Sequence, residues 1–506
     1  MKSYFTSVTP ESQGIPSSAV LEFLSDLKRR GLEMHGFAVL RHGKCVARGS
    51  WYPYGDDMEH NVFSFSKSLT STAMGFLWQE GLLNPSEKLT DAFADCMPEE
   101  ISPNLARATV RDLLTMGCGH DTEPALSRYD DADGWLRQFF SHPFVHAPGT
   151  VYEYNTAGTN VLCALLLRKT GQSLTDYLQP RLFDPLGIGR DISCAPLGGG
   201  VQFGGAGFRL KLEDMMRFGQ FFLQKGRWEG EQLLSEEWFH QACSKQIETA
   251  GRAYPSHPDW NAGYGYQFWM CSEPGSFRAD GAFGQFAVVL PQKDAVIVTQ
   301  SSTEQTFSLM EAIHALSSRM QDCALAPDPE GCQRLLRAQQ SLEIPGFLCV
   351  RNRRMETEIE GRAYLPADRA VSFKAFSSGI RIQTGSQTDD GECRKIRFAF
   401  EADRMILHVQ DSDGDVSLPL SMNGSFCVSD QPFSRQGVAG IARFVDHNVI
   451  EAVVRNLDQP SGKRMYFRFC GDRLTVSAAS TIVTDSPLAG SGTWPVFEAE
   501  KSNTPQ

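Results

Sequence analysis

From residue 17 to about residue 320 the apolar positions switch between helical and strand periods. Val20, Phe23, Leu24 and Leu27 share one stripe and predict a helix over 17–30, with Ser17 or Ser18 as its cap. Gly36 to Ala47 reads as two short strands around a tight turn at His42-Gly43-Lys44. A long helix is predicted over 64–80, closed by Gly81, because glycine readily takes the left-handed conformation at a helix end. Further helices are predicted at 109–116, 158–170, 174–179, 212–225, 234–245 and 305–320, and strands at 264–270, 285–290 and 295–300. Strands at both ends with helices between them predict an α/β (α+β) domain whose sheet joins early and late segments.

After Asp322 the texture changes. Ala326-Pro327-Asp328-Pro329-Glu330-Gly331 reads as a linker, followed by a short helix from Gln333 to Leu342. Period-2 runs then dominate: 371–376, 379–384, 395–400, 405–409, 440–444, 449–454, 465–470 and 474–477. They predict a C-terminal all-β barrel or sandwich domain. The expected organisation is a first domain over 1–325, a linker and short helix over 326–342, a β-domain over 343–485, and a flexible tail over 486–506. No internal repeat is visible.

Composition narrows the class. Of 506 residues, 41% are hydrophobic and 21% charged, which excludes a disordered chain, a fibrous repeat and a disulfide-stapled miniature. A net charge of −12 repels phosphate backbones and anionic lipid, so neither nucleic acid nor a membrane surface is expected as partner. No stretch reaches the roughly 18 to 20 apolar residues of a membrane span, and Met1 to Pro10 carries no apolar core of a secretory signal. The 13 cysteines form no CxxC pair and read as reduced thiols of a cytoplasmic protein. Cys323 and Cys332 flank a Pro-rich loop that a bridge can span, but the expected compartment disfavours one. The 11 histidines show no HExxH or paired spacing, so no metal and no cofactor is expected. The partner is then a small-molecule or short-peptide substrate. Nothing in the pattern fixes the oligomeric state.

The stretch richest in chemistry is Phe63-Ser64-Phe65-Ser66-Lys67-Ser68-Leu69-Thr70. Ser64 stands where a loop enters a helix, and one turn later Lys67 lies on the same face. A desolvated amine there can take the serine proton, and helix-start amides can hold the resulting oxyanion. The tetrapeptide alone is equally a capped helix with a solvated lysine.

Its surroundings add to it: Glu80-Gly81-Leu82-Leu83, Leu89-Thr90-Asp91 and Val110-Arg111-Asp112-Leu113-Leu114-Thr115-Met116-Gly117-Cys118-Gly119-His120 follow in order. Over residues 10–320 the chain resembles the serine β-lactamase and penicillin-recognising hydrolase family, in the branch of esterases, D-amino-acid peptidases and amide-oligomer hydrolases. The resemblance implies a β-lactamase/transpeptidase-like sheet flanked by helices. It also implies a metal-free serine hydrolase that cleaves an ester or amide, carboxylesterase-like, through an acyl-enzyme on Ser64, with Lys67 as proton acceptor.

By the same resemblance, Tyr154 in Pro148-Gly149-Thr150-Val151-Tyr152-Glu153-Tyr154-Asn155-Thr156 aligns with the family tyrosine that shares proton transfer. The family asparagine falls on Thr156, with Asn155 one residue early; both are expected to line the substrate site. On the residues alone, Tyr152 and Tyr154 are also alternating strand aromatics. Phe277-Arg278-Ala279-Asp280-Gly281-Ala282-Phe283 occupies the place of the family Lys-Thr-Gly strand. The amides of Ser64 and Ala282 are the implied oxyanion donors, and Arg278, Asp280, Gly281 and Phe283 the implied lining. Ala279 replaces the lysine that would anchor a substrate carboxylate, which disfavours β-lactam hydrolysis. Asp280 either pairs with Arg278 or holds a substrate amine.

Gly198 to Gly207 lacks the Gly-Lys-Ser/Thr ending of a phosphate loop and reads as a turn packed on the active-site helix. Tyr264 to Trp269 is either a pocket wall or core. His60 and His120 read as structural. Two alternatives stand beside the esterase: a D-amino-acid peptidase or amidase with the same residues, and a catalytically silent binding or sensing protein of this fold.

Overall fold

The computed structural model describes residues 4–124, 132–252, 257–366, 393–411, 414–431, 434–482 and 497–501. They divide into two compact units. One holds the residues up to Ser50 together with Asn61–Leu342, the other Trp51–His60 together with residues from Glu343 onward.

The first unit is built on an antiparallel sheet. Strand Met34–Arg41 turns through His42 and Gly43 (φ 50° and 68°) into Lys44–Ser50. Two consecutive left-handed residues match the twist of a tight hairpin. On its other edge Met34–Arg41 pairs with Ala295–Ser301, and the sheet continues through Gln285–Leu290, Phe277–Gly281 and Trp269–Met270. Early and late segments are thus joined as the pattern predicts. The strands Met34–Arg41 and Ala295–Ser301 are buried at every position because helices cover both faces. Gly36 faces Leu212 at the start of helix Leu212–Leu223, while its neighbour Phe37 packs on Phe23 of helix Ser17–Arg29, ring centres 6.0 Å apart. Successive side chains feed opposite layers.

Between Lys44–Ser50 and Trp269–Met270 the chain builds a helical region that includes Ser66–Gln79, Val110–Leu114, Ala132–Ser141, Thr156–Thr170 and Leu174–Leu178. Helix Ser66–Gln79 is buried all round from Ser66 to Leu77, the mark of a central helix rather than an amphipathic surface one. It packs against Thr156–Thr170.

Several elements differ from the sequence expectation. Residues Phe63–Phe65 form a 3-10 turn before the α-helix begins at Ser66. Of the strand expected at 264–270 only Trp269–Met270 is extended, because Gln267 adopts φ 63° and its amide turns to the Leu114 carbonyl. The helix expected from Gln333 starts at Pro329. Proline suits a first helical turn, and the Asp328 side chain accepts the Gly331 amide at 2.8 Å. Cys323 and Cys332 are both free, and the Cys332 thiol donates to Glu11 Oε2 at 3.2 Å.

The second unit is a nearly closed, barrel-like sheet. Its order runs Gly414–Ser421, Arg404–Asp411, Cys393–Phe400, Tyr364–Pro366, Phe497–Lys501, Arg473–Ser480, Gly462–Cys470, Val449–Asn456, Val438–Asp446, Cys427–Ser429. A parallel contact of Ser421 with Ile441 brings the first strand back to Val438–Asp446. Phe497–Lys501 falls in the stretch whose Gly, Ser and Pro content marks it as a tail, yet its backbone pairs on both sides. The runs expected at 371–376 and 379–384 lie outside the described residues. Tyr364, Phe398, Phe467 and Phe469 meet edge to face in the interior. The segment Trp51–His60 belongs here: Tyr52 accepts the Ile344 amide at 2.7 Å, and Tyr54 packs with Ile344, Phe426, Ile441 and Val453.

Candidate active site

Local chemistry fixes the position of Ser64. The Asn61 side-chain oxygen accepts the Phe63 amide at 3.0 Å, and Phe63 adopts φ 46°, a left-handed conformation that costs a bulky residue. The following turn presents Ser64 half-exposed, while Phe65 and Ser66 point inward and Ser66 Oγ accepts the Phe208 amide at 3.1 Å.

Lys67 follows one turn later and is fully buried. Its Nζ lies 3.0 Å from Ser64 Oγ, 3.3 Å from Thr156 Oγ1 and 2.7 Å from the Gly205 carbonyl oxygen. Burial pulls its pKa down to about 7, against the opposing fields of Glu123 and Asp280. The Nζ also stands 4.8 Å from the ring centre of Tyr154.

The second wall is the end of strand Phe277–Gly281. A Cβ on Gly281 would overlap the Val62 carbonyl oxygen and lie 3.2 Å from the Phe65 amide nitrogen. Only glycine lets the strand abut the serine turn so closely. In the turn that follows, the Phe283 carbonyl accepts from Thr303 N, and the Ala282 and Phe283 carbonyls face Gln285 Nε2. Among the described residues, neither the Ser64 nor the Ala282 amide donates to a protein acceptor.

A model of the family described as Beta-lactamase matches residues 19–317. The chain belongs to the Beta-lactamase family. Its first unit has the β-lactamase/transpeptidase fold and its second is an added barrel-like sheet. A 6-aminohexanoate-dimer hydrolase of Paenarthrobacter ureafaciens is 26% identical over 317 residues, covering 58% of this chain and 79% of the relative. A D-aminopeptidase of Brucella anthropi is 30% identical over 172 residues, covering 30% of this chain and 31% of the relative. Among solved structures, the octameric penicillin-binding protein homologue of Pyrococcus abyssi matches at a TM-score of 0.48 and 13% identity, over 91% of this chain and 97% of that one.

Against the Beta-lactamase family blocks, the structure gathers some expected residues and turns others away. Ser64, Lys67, Tyr154, Thr156 and Gly281 come together. Asn155 does not reach them. It caps helix Thr156–Thr170, accepting the Gly158 amide at 2.8 Å, and its Nδ2 lies 2.9 Å from His120 Nδ1. Capping bends the side chain back over its own helix and away from the site. Thr156, first in that helix, takes the contact with Lys67.

Arg278 is also withdrawn. It is fully buried, 4.2 Å from the Trp260 ring centre, with Nη1 donating to the Asp259 and Met270 carbonyls and Nε to Asp280 Oδ2 at 2.8 Å. Two residues apart on a strand, Arg278 and Asp280 share a face and pair there. Burial still raises the Asp280 carboxyl. The Phe283 ring is buried against Phe63, ring centres 5.5 Å apart, and Phe283 too is left-handed (φ 64°). Tyr152 is buried against Tyr264 and Trp269.

Cys118, His120 and Asn155 form a second polar cluster, but burial pushes the thiol up to about 11 and the imidazole down to about 3. Both are neutral, so the cluster is no thiolate–imidazolium pair.

The glycine run packs on the active-site helix as the sequence predicts, and two further contributors, Gln267 and Trp269, escaped the sequence reading as parts of the site. Gly205 supplies a carbonyl to Lys67, and Gly204 accepts from Thr70 Oγ1 at 3.0 Å, so the glycine run seals the lysine pocket. Gln267 is buried and ties three helices together. Its Nε2 donates to the Leu113 and Leu114 carbonyls, its Oε1 accepts from Thr159, and its carbonyl accepts from Ser68. Trp269 lies nearly parallel to Tyr154, at 17° with ring centres 6.1 Å apart. The only hint in sequence was the aromatic alternation of 264–269. Among the described residues no group of three His, Cys, Asp or Glu could hold a metal, and no helix is long and apolar enough to cross a membrane.

Proposed function

We propose that the chain is a serine hydrolase that cleaves an ester or amide through an acyl-enzyme on Ser64. The observation that carries this reading is the hydrogen-bond geometry of Lys67. A neutral amine has two N–H donors and one lone pair. The Gly205 carbonyl can only accept, and the Thr156 hydroxyl can accept as well, so the lone pair is left for the hydroxyl proton of Ser64, 3.0 Å away. A lysine with a pKa near 7 is neutral often enough to act as that base.

In the proposed reaction Ser64 Oγ attacks the substrate carbonyl as its proton passes to Lys67 Nζ. The amides of Ser64 and Ala282 hold the oxyanion. Tyr154, beside Nζ, passes a proton to the departing alcohol or amine and regains one from Lys67. Water then releases the acyl group with Lys67 again as base. The 13 free cysteines support a reducing compartment, the cytoplasm.

Stopped-flow release of p-nitrophenolate from short-chain esters tests the reading. A burst of about one equivalent followed by slower turnover, absent from Ser64→Ala, is expected. A mutant with the wild-type burst overturns it.

A second reading is an amidase for substrates with a free amine, favoured by the acidic surroundings of Lys67, to which Asp280 and Glu123 contribute. The names of the 6-aminohexanoate-dimer hydrolase and D-aminopeptidase relatives run the same way. Amides with a free amine should then outcompete their N-acetylated forms by tenfold or more in kcat/KM, about 1.4 kcal/mol of discrimination.

A further inference from the structure

The Trp269 ring is held on several sides. It is buried at the start of the short strand Trp269–Met270, with Trp269 in register opposite Arg278. The Tyr152 and Tyr264 rings meet it edge to face, at 5.7 Å and 60° and at 5.0 Å and 85°. The Arg278 guanidinium lies 5.5 Å from its centre and is itself fixed by the Asp259 and Met270 carbonyls and by Asp280. A large ring so enclosed cannot change rotamer without moving its neighbours.

Tyr154, by contrast, is only half-buried, and it sits in the irregular stretch just before helix Thr156–Thr170. Its ring meets two fixed groups: the near-parallel Trp269 ring at 6.1 Å and the Lys67 nitrogen at 4.8 Å. Neither contact directs the hydroxyl by hydrogen bonding. Together they restrict the plane in which the phenol lies.

We propose that Trp269 is a positioning residue for Tyr154, holding the phenol against Lys67 so that its hydroxyl reaches the departing group. The inference rests on the acyl-transfer reading above and names the residue that makes its proton-return step efficient. In that step the bond from carbonyl carbon to leaving group breaks. The leaving oxygen or nitrogen takes the Tyr154 proton, and the tyrosine oxygen takes the proton that Lys67 received from Ser64. No net proton is gained or lost.

The consequence is specific. A leaving group that departs as a stable anion needs no proton, so Trp269 matters little to it. A poor leaving group needs the full step, whose loss costs about 10²-fold or more. The test compares kcat/KM, which reports acylation, for p-nitrophenyl, phenyl and ethyl butyrate. Wild type, Trp269→Phe, Trp269→Met and Tyr154→Phe are measured, with thermal melts alongside. If Trp269→Met fails to fold, Trp269→Leu replaces it.

For Trp269→Met the expected loss is within about threefold for the p-nitrophenyl ester and about 100-fold for the ethyl ester. Trp269→Phe, which keeps a ring against Tyr154, recovers most of the ethyl ester activity. Tyr154→Phe shows the same selective pattern. Equal losses across the three esters, or no loss in any, overturn the role of Trp269. A flat pattern in Tyr154→Phe overturns it too, by removing the step it serves. The acyl-transfer reading fails separately, if Ser64→Ala keeps the burst.

Discussion

Lys67 Nζ lies 2.7 Å from the carbonyl oxygen of Gly205, 138 residues further along the chain. A carbonyl cannot donate, so this contact commits one lysine proton whether the amine is charged or neutral. It leaves Ser64 and Thr156 to respond to the charge state.

Activity should therefore titrate with Lys67. With a pKa lowered to about 7, the lysine is protonated and useless as a base below neutrality, so kcat/KM rises with pH through about 7 and then levels. Lys67→Arg keeps a cation that cannot lose its proton and should abolish the burst at every pH. The pH profile of p-nitrophenyl ester hydrolysis reads both.

Thr156→Val should move that profile. The charged amine wants three acceptors and the neutral amine two, so removing the hydroxyl disfavours the charged form more. The acid limb is expected to shift to lower pH, with a fall in kcat of tenfold or less, about 1.4 kcal/mol. A shift to higher pH contradicts the assigned geometry.

Stability should follow the same group with its own sign. Between about 7 and 10.5 the unfolded chain carries a protonated Lys67 and the folded chain a neutral one. The unfolded state binds the extra proton, so wild-type stability gains about 1.4 kcal/mol per pH unit from this group as pH rises through that window. Lys67→Met lacks the group, so the wild-type advantage over it should grow from pH 7 to pH 9 in urea melts.

Gly281→Ala should injure catalysis more than folding. The added methyl collides with the Val62 carbonyl and pushes the strand end, with the proposed Ala282 donor that follows it, away from the serine turn. Loss of one oxyanion donor costs about 10²–10³ in kcat. Steady-state kinetics beside a thermal melt separate this from a general collapse.

Gln267→Ala should do the reverse. It removes the side-chain donor to the Leu113 and Leu114 carbonyls, which keep the Met116 and Gln267 amides, and takes the acceptor from the buried Thr159 hydroxyl, an expected cost of about 2 kcal/mol in a denaturant melt. The surviving folded fraction should keep the burst.

What sequence reveals here is what is local. Ser64 and Lys67 are legible because three residues make one helical turn. The strands around Val288 and Val298 are legible because their runs of β-branched residues suit a sheet. Gly205, Gln267 and Trp269 act on residues 138, 199 and 115 positions away respectively, so no local period announces them. The false strand at 264–268 has a definite cause: aromatic alternation mimics an extended run, while the left-handed Gln267 breaks it to satisfy three helices. Asn155 misleads in another way, since a residue next to the site is spent on capping a helix.

The placing of Trp51–His60 in the second unit sets a timetable for synthesis. These residues leave the ribosome early, immediately ahead of the serine turn, but their packing partners Ile344, Phe426, Ile441 and Val453 are made some 300 to 400 residues later. At about 5–20 residues per second, the segment waits on the order of 15 to 80 s for its final surroundings. A nascent chain that ends at Leu342 holds the whole first unit's sheet but must leave Tyr54 without its native cover.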